Sequence, residues 1–286
     1  MKNEIITKKS FPKVKKRVEE LLVRCWKMSK PIYPKMLLDF KVNPQESYFS
    51  QPGKVWFLSP LWRGDDFVVS ILFHEGHHWN IYPVDLFRSL KEVFDARNLL
   101  AEEIGFKPTI IHRGLWKTEE DWSGFGHPVE EFQYVENILG DYLINLLIHD
   151  NYTTVWDALW NFLSLEGQFV VAGKVVKRDT TFLLYIAVYS ELVIGLKSPI
   201  LMSQESIAKV PKIAKIVKEC RSGRISTTFA VKELVKLFHS NIMEDAKEQK
   251  KEGDGEGKGK QECPVCKNDE FEITEYQKED GSWVKI

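Results

Sequence analysis

The chain has 286 residues, with 40 lysines and arginines against 41 aspartates and glutamates and a formal net charge of -1. That length can bury a self-sufficient core, and the balanced charge removes any global electrostatic reason to expect nucleic acid or an anionic membrane as a partner. Four cysteines are too few for a disulfide framework, so a reducing cytoplasm is the expected setting.

Near the start, Lys8, Lys9, Lys13, Lys15, Lys16 and Arg17 alternate with Phe11, Val14, Val18, Leu21 and Leu22. This spacing predicts an amphipathic helix with a solvated basic face, and the segment is too polar for a secretory signal. The runs Met36 to Val42 and Lys54 to Ser59 are short, apolar and bounded by Pro34, Asn43, Pro44, Gly53 and Pro60, which predicts a small upstream sheet. Helices then dominate: Asp66 to Trp79, Asp85 to Ile104, Val129 to His149, Thr153 to Leu163, Thr180 to Leu196, Glu205 to Cys220 and Thr227 to Ser240. The aperiodic stretch Phe106 to Pro128 reads as a loop. Thr181 to Leu196 is the most apolar segment, but Glu191 interrupts it and it falls short of the roughly 20 residues that cross a bilayer, so no membrane span is expected. Glu244 to Gln261 is rich in Gly, Lys and Glu and reads as a mobile linker. The expected organisation is a body over residues 1–242, a linker over 243–261 and a tail over 262–286, in a mostly helical α+β fold.

The string His74-Glu75-Gly76-His77-His78 contains H-E-x-x-H, preceded by the apolar Phe67, Val68, Val69, Ile71, Leu72 and Phe73. On a helix His74 and His78 lie one turn apart on one face, where both imidazoles can reach one ion. Glu75, about 100 degrees round, is the expected general base of a zinc-dependent hydrolase. Three ionisable side chains on a buried helix would be costly without a metal. His77 is adjacent and is assigned a supporting role, because the i, i+4 pair has the better ligand geometry.

Catalytic zinc takes three protein ligands, and the helix from Val129 to His149 offers the third. Phe132, Val135, Leu139, Tyr142, Leu143 and Leu146 form its apolar face, while Asn137, Asp141, Asn145 and His149 recur every four residues as a polar stripe. Asp141 is the preferred ligand, since a carboxylate in such a helix needs a cation. Glu136 is the rival; it is five positions away, about 140 degrees round the helix, so both acids cannot readily face one ion. The other acid, or Asn137 or Asn145, could then support a ligating histidine from outside. His112, His127 and His149 are outside candidates.

His74 to His78 followed by Asn137-x-x-x-Asp141-x-x-Ile144-Asn145 resembles the metallopeptidase domain often encoded beside von Willebrand factor type A proteins. The match carries specific positions over residues 65–150. The resemblance implies a compact zincin with an active-site helix, a backing helix carrying the acidic ligand, and an upstream sheet whose edge strand pairs with an extended peptide, here Lys54 to Ser59. Glutamate-ligand zincins place a metal-binding Glu four residues before the aspartate. Asn137 stands there in this chain, which favours Asp141. Tyr82, Tyr134, Tyr142 and His127 are candidate donors to the transition state.

In the tail, Cys263-Pro264-Val265-Cys266 is a metal-binding knuckle with a hairpin expected behind it, Glu270 to Tyr276 and Ser282 to Ile286. No further cysteine follows, so a second chain, Cys25 or Cys220 would have to complete a site, or the knuckle is inert. Two functions remain open. One is a zinc peptidase acting on peptide or protein. The other is a non-catalytic zinc-binding interaction module that recruits partners, or another copy, through its tail.

Overall fold

A computed structural model of the chain describes residues 4–29, 39–42, 48–51, 55–58, 61–62, 64–81, 86–113, 117–157, 170–171, 174–175, 181–193, 202–253, 275–277 and 283–285. It is mostly helical with small sheets, as an α+β chain. By internal contacts it divides into two compact units, residues 1–84, 144–176 and 258–286 in the first and 85–143 and 177–257 in the second. Among the described residues no helix is long and apolar enough to cross a membrane.

In the first unit, α1 (Phe11–Ser29) starts at a reciprocal pair of caps. Thr7 N donates to Ser10 Oγ at 2.9 Å, and Ser10 N donates to Thr7 Oγ1 at 3.3 Å. Val14, Val18, Leu21, Leu22 and Cys25 are buried, spaced to line one helical stripe, while Lys13 and Lys16 remain exposed. That stripe packs on α2 (Asp65–Ile81), and each large apolar side chain so buried contributes roughly 1.5–3 kcal/mol. Arg17 adds a fork to Asp65 in the first turn of α2, with Nε donating at 3.1 Å. This ion pair holds the Asp65 carboxyl below its ordinary value.

Five short strands precede α2 among the described residues. β1 (Glu4–Ile5) pairs antiparallel with β5 (Leu61–Trp62). β2 (Asp39–Val42), β3 (Tyr48–Gln51) and β4 (Val55–Leu58) form one sheet in the order β2-β4-β3. β4 runs parallel to β2, with Asp39 opposite Val55, and antiparallel to β3, with Tyr48 opposite Leu58. The upstream sheet is therefore present, but its assignment of edges changes. The strand expected at Lys54 to Ser59 is described as β4 over Val55–Leu58, which is central and paired on both sides, so β4 has no open edge for a peptide. Tyr48–Gln51 is the element that sequence reading lacked, because four residues are too few for alternation to register. β3 also lies against α2.

The second unit is built from α3 (Leu86–Ile104), the hairpin β6 (Thr109–Arg113) and β7 (Lys117–Asp121), most of α4 (Val129–Asn151), α5 (Thr181–Val193), α6 (Gln204–Arg221) and α7 (Thr227–Gly253). α3 packs on α7, α5 on α6, and α7 against both α5 and α6. The hairpin replaces the expected loop over 106–128. Thr109 pairs with Asp121 and Arg113 with Lys117, and the acidic second strand, Lys-Thr-Glu-Glu-Asp, has little intrinsic strand preference to reveal it.

The expected linker is also partly helical, since α7 continues to Gly253. Lys, Glu, Ala and Gln are good helix formers, and propagation from a helix already nucleated by its buried face costs little. Asp245 in this extension accepts a hydrogen bond from Thr181 N at 3.0 Å, capping the start of α5. Residues 254–261 lie outside the described residues, as do Cys263 and Cys266. The tail hairpin is recovered in its last part: β10 (Glu275–Gln277) pairs antiparallel with β11 (Trp283–Lys285), and β10 lies against β2. β8 (Val170–Val171) and β9 (Lys174–Val175) make a further short pair.

Candidate metal centre

α2 is anchored by Val68, Val69, Leu72 and Phe73, all buried, and Ser70 returns its hydroxyl to Phe67 O at 2.7 Å. Asp65 and Asp66 occupy its first turn, where negative charge is favourable. The helix carries His74, Glu75 and His78 with the one-turn spacing that the motif requires. The side chains of Glu75 and His78 lie outside the described residues. His74 is half-buried, and its Nδ1 donates to Asn145 Oδ1 at 2.7 Å. Asn145 is itself 2% exposed. An amide oxygen can only accept, so Nδ1 carries a proton, and in the neutral ring the lone pair is then on Nε2. Ligating histidines are generally held in this way, one nitrogen oriented by an acceptor and the other presented to the ion.

His77 takes a different part. It is buried, its Nδ1 donates to Phe73 O at 2.7 Å, and its ring centroid is 4.5 Å from that of Phe73 and 6.0 Å from that of Tyr152. Phe73 and Tyr152 meet edge to face at 4.7 Å. These contacts hold the ring in the packing of α2.

On α4 the polar stripe drifts across the surface, as a four-residue repeat must when each step advances 40 degrees beyond a full turn. Asn137 is exposed, Asp141 half-buried and Asn145 buried. His149 is half-buried, paired with Asp150 at 2.8 Å and edge-on to Trp156. Asp141 is one helical turn before Asn145. Glu136 is turned to α3 instead: it is buried, and Ser89 Oγ donates to its Oε2 at 2.6 Å. Its Oε1 has no hydrogen-bond partner among the described residues, and burial pushes its carboxyl above the ordinary value.

Two further expectations change. Tyr142 is no donor to a substrate, because it is fully buried and its hydroxyl donates to Tyr185 O at 3.1 Å, in a stack with Tyr185 at 4.8 Å. Burial also drives its phenol well above the ordinary value. Cys25 is poorly placed to complete the tail knuckle. Its thiol is buried between α1 and α2 with Sγ donating to Val69 O at 3.6 Å, and burial pushes its pKa up to about 12.

Sequence reading missed a second constellation, in the second unit. His127, Glu131 and His239 bring their ligand atoms within 4.8 Å of one another. His127 Nδ1 lies 2.9 Å from Glu131 Oε2, and His239 Nδ1 lies 2.8 Å from Glu131 Oε1. His127 to Glu131 is a readable i, i+4 pair at a helix start. His239 is 108 positions further on, and only the packing of α7 brings it there.

No known protein family, curated protein or solved structure matches the chain.

Proposed function

We propose that this chain is a zinc-dependent peptidase centred on α2, with His74 and His78 as ligands, Asp141 of α4 as the third ligand and Glu75 as general base. The observation that carries this reading is the hydrogen bond from His74 Nδ1 to buried Asn145. It selects the tautomer and ring orientation that a ligating histidine needs, on the helix that bears the H-E-x-x-H pattern. A half-buried carboxylate one turn before Asn145 and a donor set of two imidazoles and one carboxylate suit zinc.

Zinc bound there would supply a Lewis acid that polarises the scissile carbonyl and acidifies the attacking water. Glu75 would take the proton from that water and deliver it to the departing amine. Asn145 would keep the His74 ring from turning. An extended substrate would add to the edge of the sheet at β3, which lies against α2, using backbone hydrogen bonds that read shape rather than sequence.

Glu75→Gln tests the assignment directly. Hydrolysis of an unfolded protein substrate is expected to disappear while the metal content of the purified chain stays as in the parent. Turnover that survives this substitution removes Glu75 as the base, and a chain that holds zinc without any turnover in its unsubstituted form favours the interaction-module reading.

A further inference from the structure

We infer that His127, Glu131 and His239 form a second divalent-metal site, separate from α2, that staples the first turn of α4 to α7. Glu131 is the centre of the argument. Its side chain is 2% exposed, and its carboxylate oxygens are shared between two imidazoles, one on each. Among the described residues its ion-pair partners are these two histidines. A carboxylate this far from water needs compensation, and a divalent ion seated among these three ligand atoms, all within 4.8 Å of one another, would supply it.

The imidazoles are arranged as ligands would be. Their ring centroids are 4.3 Å apart and tilted by 55 degrees, so two imidazoles are held close together around one acceptor. His127 is fixed from behind by Phe125 at 5.4 Å and Phe132 at 6.4 Å, both edge-on. The chain reaches it through Gly126, whose φ of 79 degrees is open to glycine, and leaves through Pro128 into α4. Glu131 is set by the first helical turn, and His239 by a turn of α7 whose neighbours Val235 and Phe238 are buried. Glu131 and His239 therefore stand on packed helices, and His127 on a loop held by the rings of Phe125 and Phe132, as a metal site requires.

Two imidazoles and one carboxylate select a borderline transition ion of the zinc class over calcium or magnesium, which favour all-oxygen shells. His239 is the most open of the three at 34% side-chain exposure, against 19% for His127, so water can complete the coordination from that side. An ion here would cross-link positions 108 residues apart, and binding that favours the folded state raises stability by mass action.

The test uses the full chain carrying His74→Ala, His78→Ala, Cys263→Ser and Cys266→Ser, which removes the α2 ligands and the tail pair together. Titration with cobalt(II) is expected to give one tightly bound equivalent with visible d-d absorption, and zinc is expected to displace it and raise Tm. Adding His239→Gln should weaken cobalt binding by about two orders of magnitude or more and abolish the rise in Tm. His127→Asn, in the loop before α4, provides the same readout if the His239 variant fails to fold. A quadruple variant that binds no cobalt, or a His239 and a His127 variant that both bind it as tightly, overturns the site and leaves a hydrogen-bonded His-Glu-His cluster. Because the α2 ligands are already gone, either result is independent of the peptidase reading.

Discussion

Asn145 is the residue at which the α2 reading is most exposed to refutation. Truncation by Asn145→Ala removes the 2.7 Å acceptor of His74 Nδ1 at a position 2% exposed to solvent. Water cannot readily replace the amide there, so the ring loses its orientation and its N–H loses its partner. An unsatisfied buried donor costs about 1–3 kcal/mol, and outer partners of zinc-bound histidines are worth about 10- to 100-fold in metal affinity, or about 1.4–2.7 kcal/mol. The two routes agree. The assay is competition for zinc against a chromophoric chelator at neutral pH, in a chain whose Cys263, Cys266 and His239 have been replaced so that α2 is the remaining candidate site. Asn145→Ala should weaken binding by one to two decades. Asn145→Asp, which keeps an acceptor of the same reach, should hold or strengthen it. Equal affinity in the parent, the alanine and the aspartate variants would refute the claim that Asn145 orients a metal ligand.

The buried Cys25 thiol, raised from an ordinary 9.0 to about 12, should carry about a thousandfold less thiolate at pH 8 than in the unfolded chain; mass spectrometry after alkylation is expected to find it protected in native protein and labelled in denaturant. The sign of its linkage follows: the folded state holds this proton more tightly, so that contribution to stability is full below about pH 9 and fades as the pH rises towards 12. Glu103 behaves in the opposite sense. Hydrogen bonds from Lys232 and Lys236 hold its carboxyl at about 2 against an ordinary 4.5, so its contribution is present above about pH 4.5 and is lost as the pH falls towards 2. In Glu103→Gln the fall of Tm between pH 5 and pH 2.5 should be shallower than in the parent, and an unchanged acid limb would count against this link between α3 and α7.

Much of the helical skeleton was legible because a buried helix advertises itself. Val14, Val18, Leu21 and Leu22 recur at helical spacing and are buried together, and α2, α3, α4, α6 and α7 each start within one residue of the positions expected from periodicity and turn residues. The spacing of His74, Glu75 and His78 is a property of the sequence once the segment is helical. The Asp141 to Asn145 interval on α4 is local in the same way. The extension of α7 to Gly253 escaped notice because a polar helix has no apolar stripe, only favourable propensity and a supporting turn.

What the linear chain could not determine were the pairings between distant positions. The order β2-β4-β3, which turns an expected edge strand into a central one, depends on which backbone finds which partner, and four-residue strands carry no mark of it. That Asn145 accepts from His74, 71 positions away, and that His239 arrives at Glu131 follow from packing, since hydrogen bonds and ligand clusters are short-ranged while the chain between them is long. Local periodicity thus marked which faces are apolar and which are polar, and tertiary contact alone decided which faces meet.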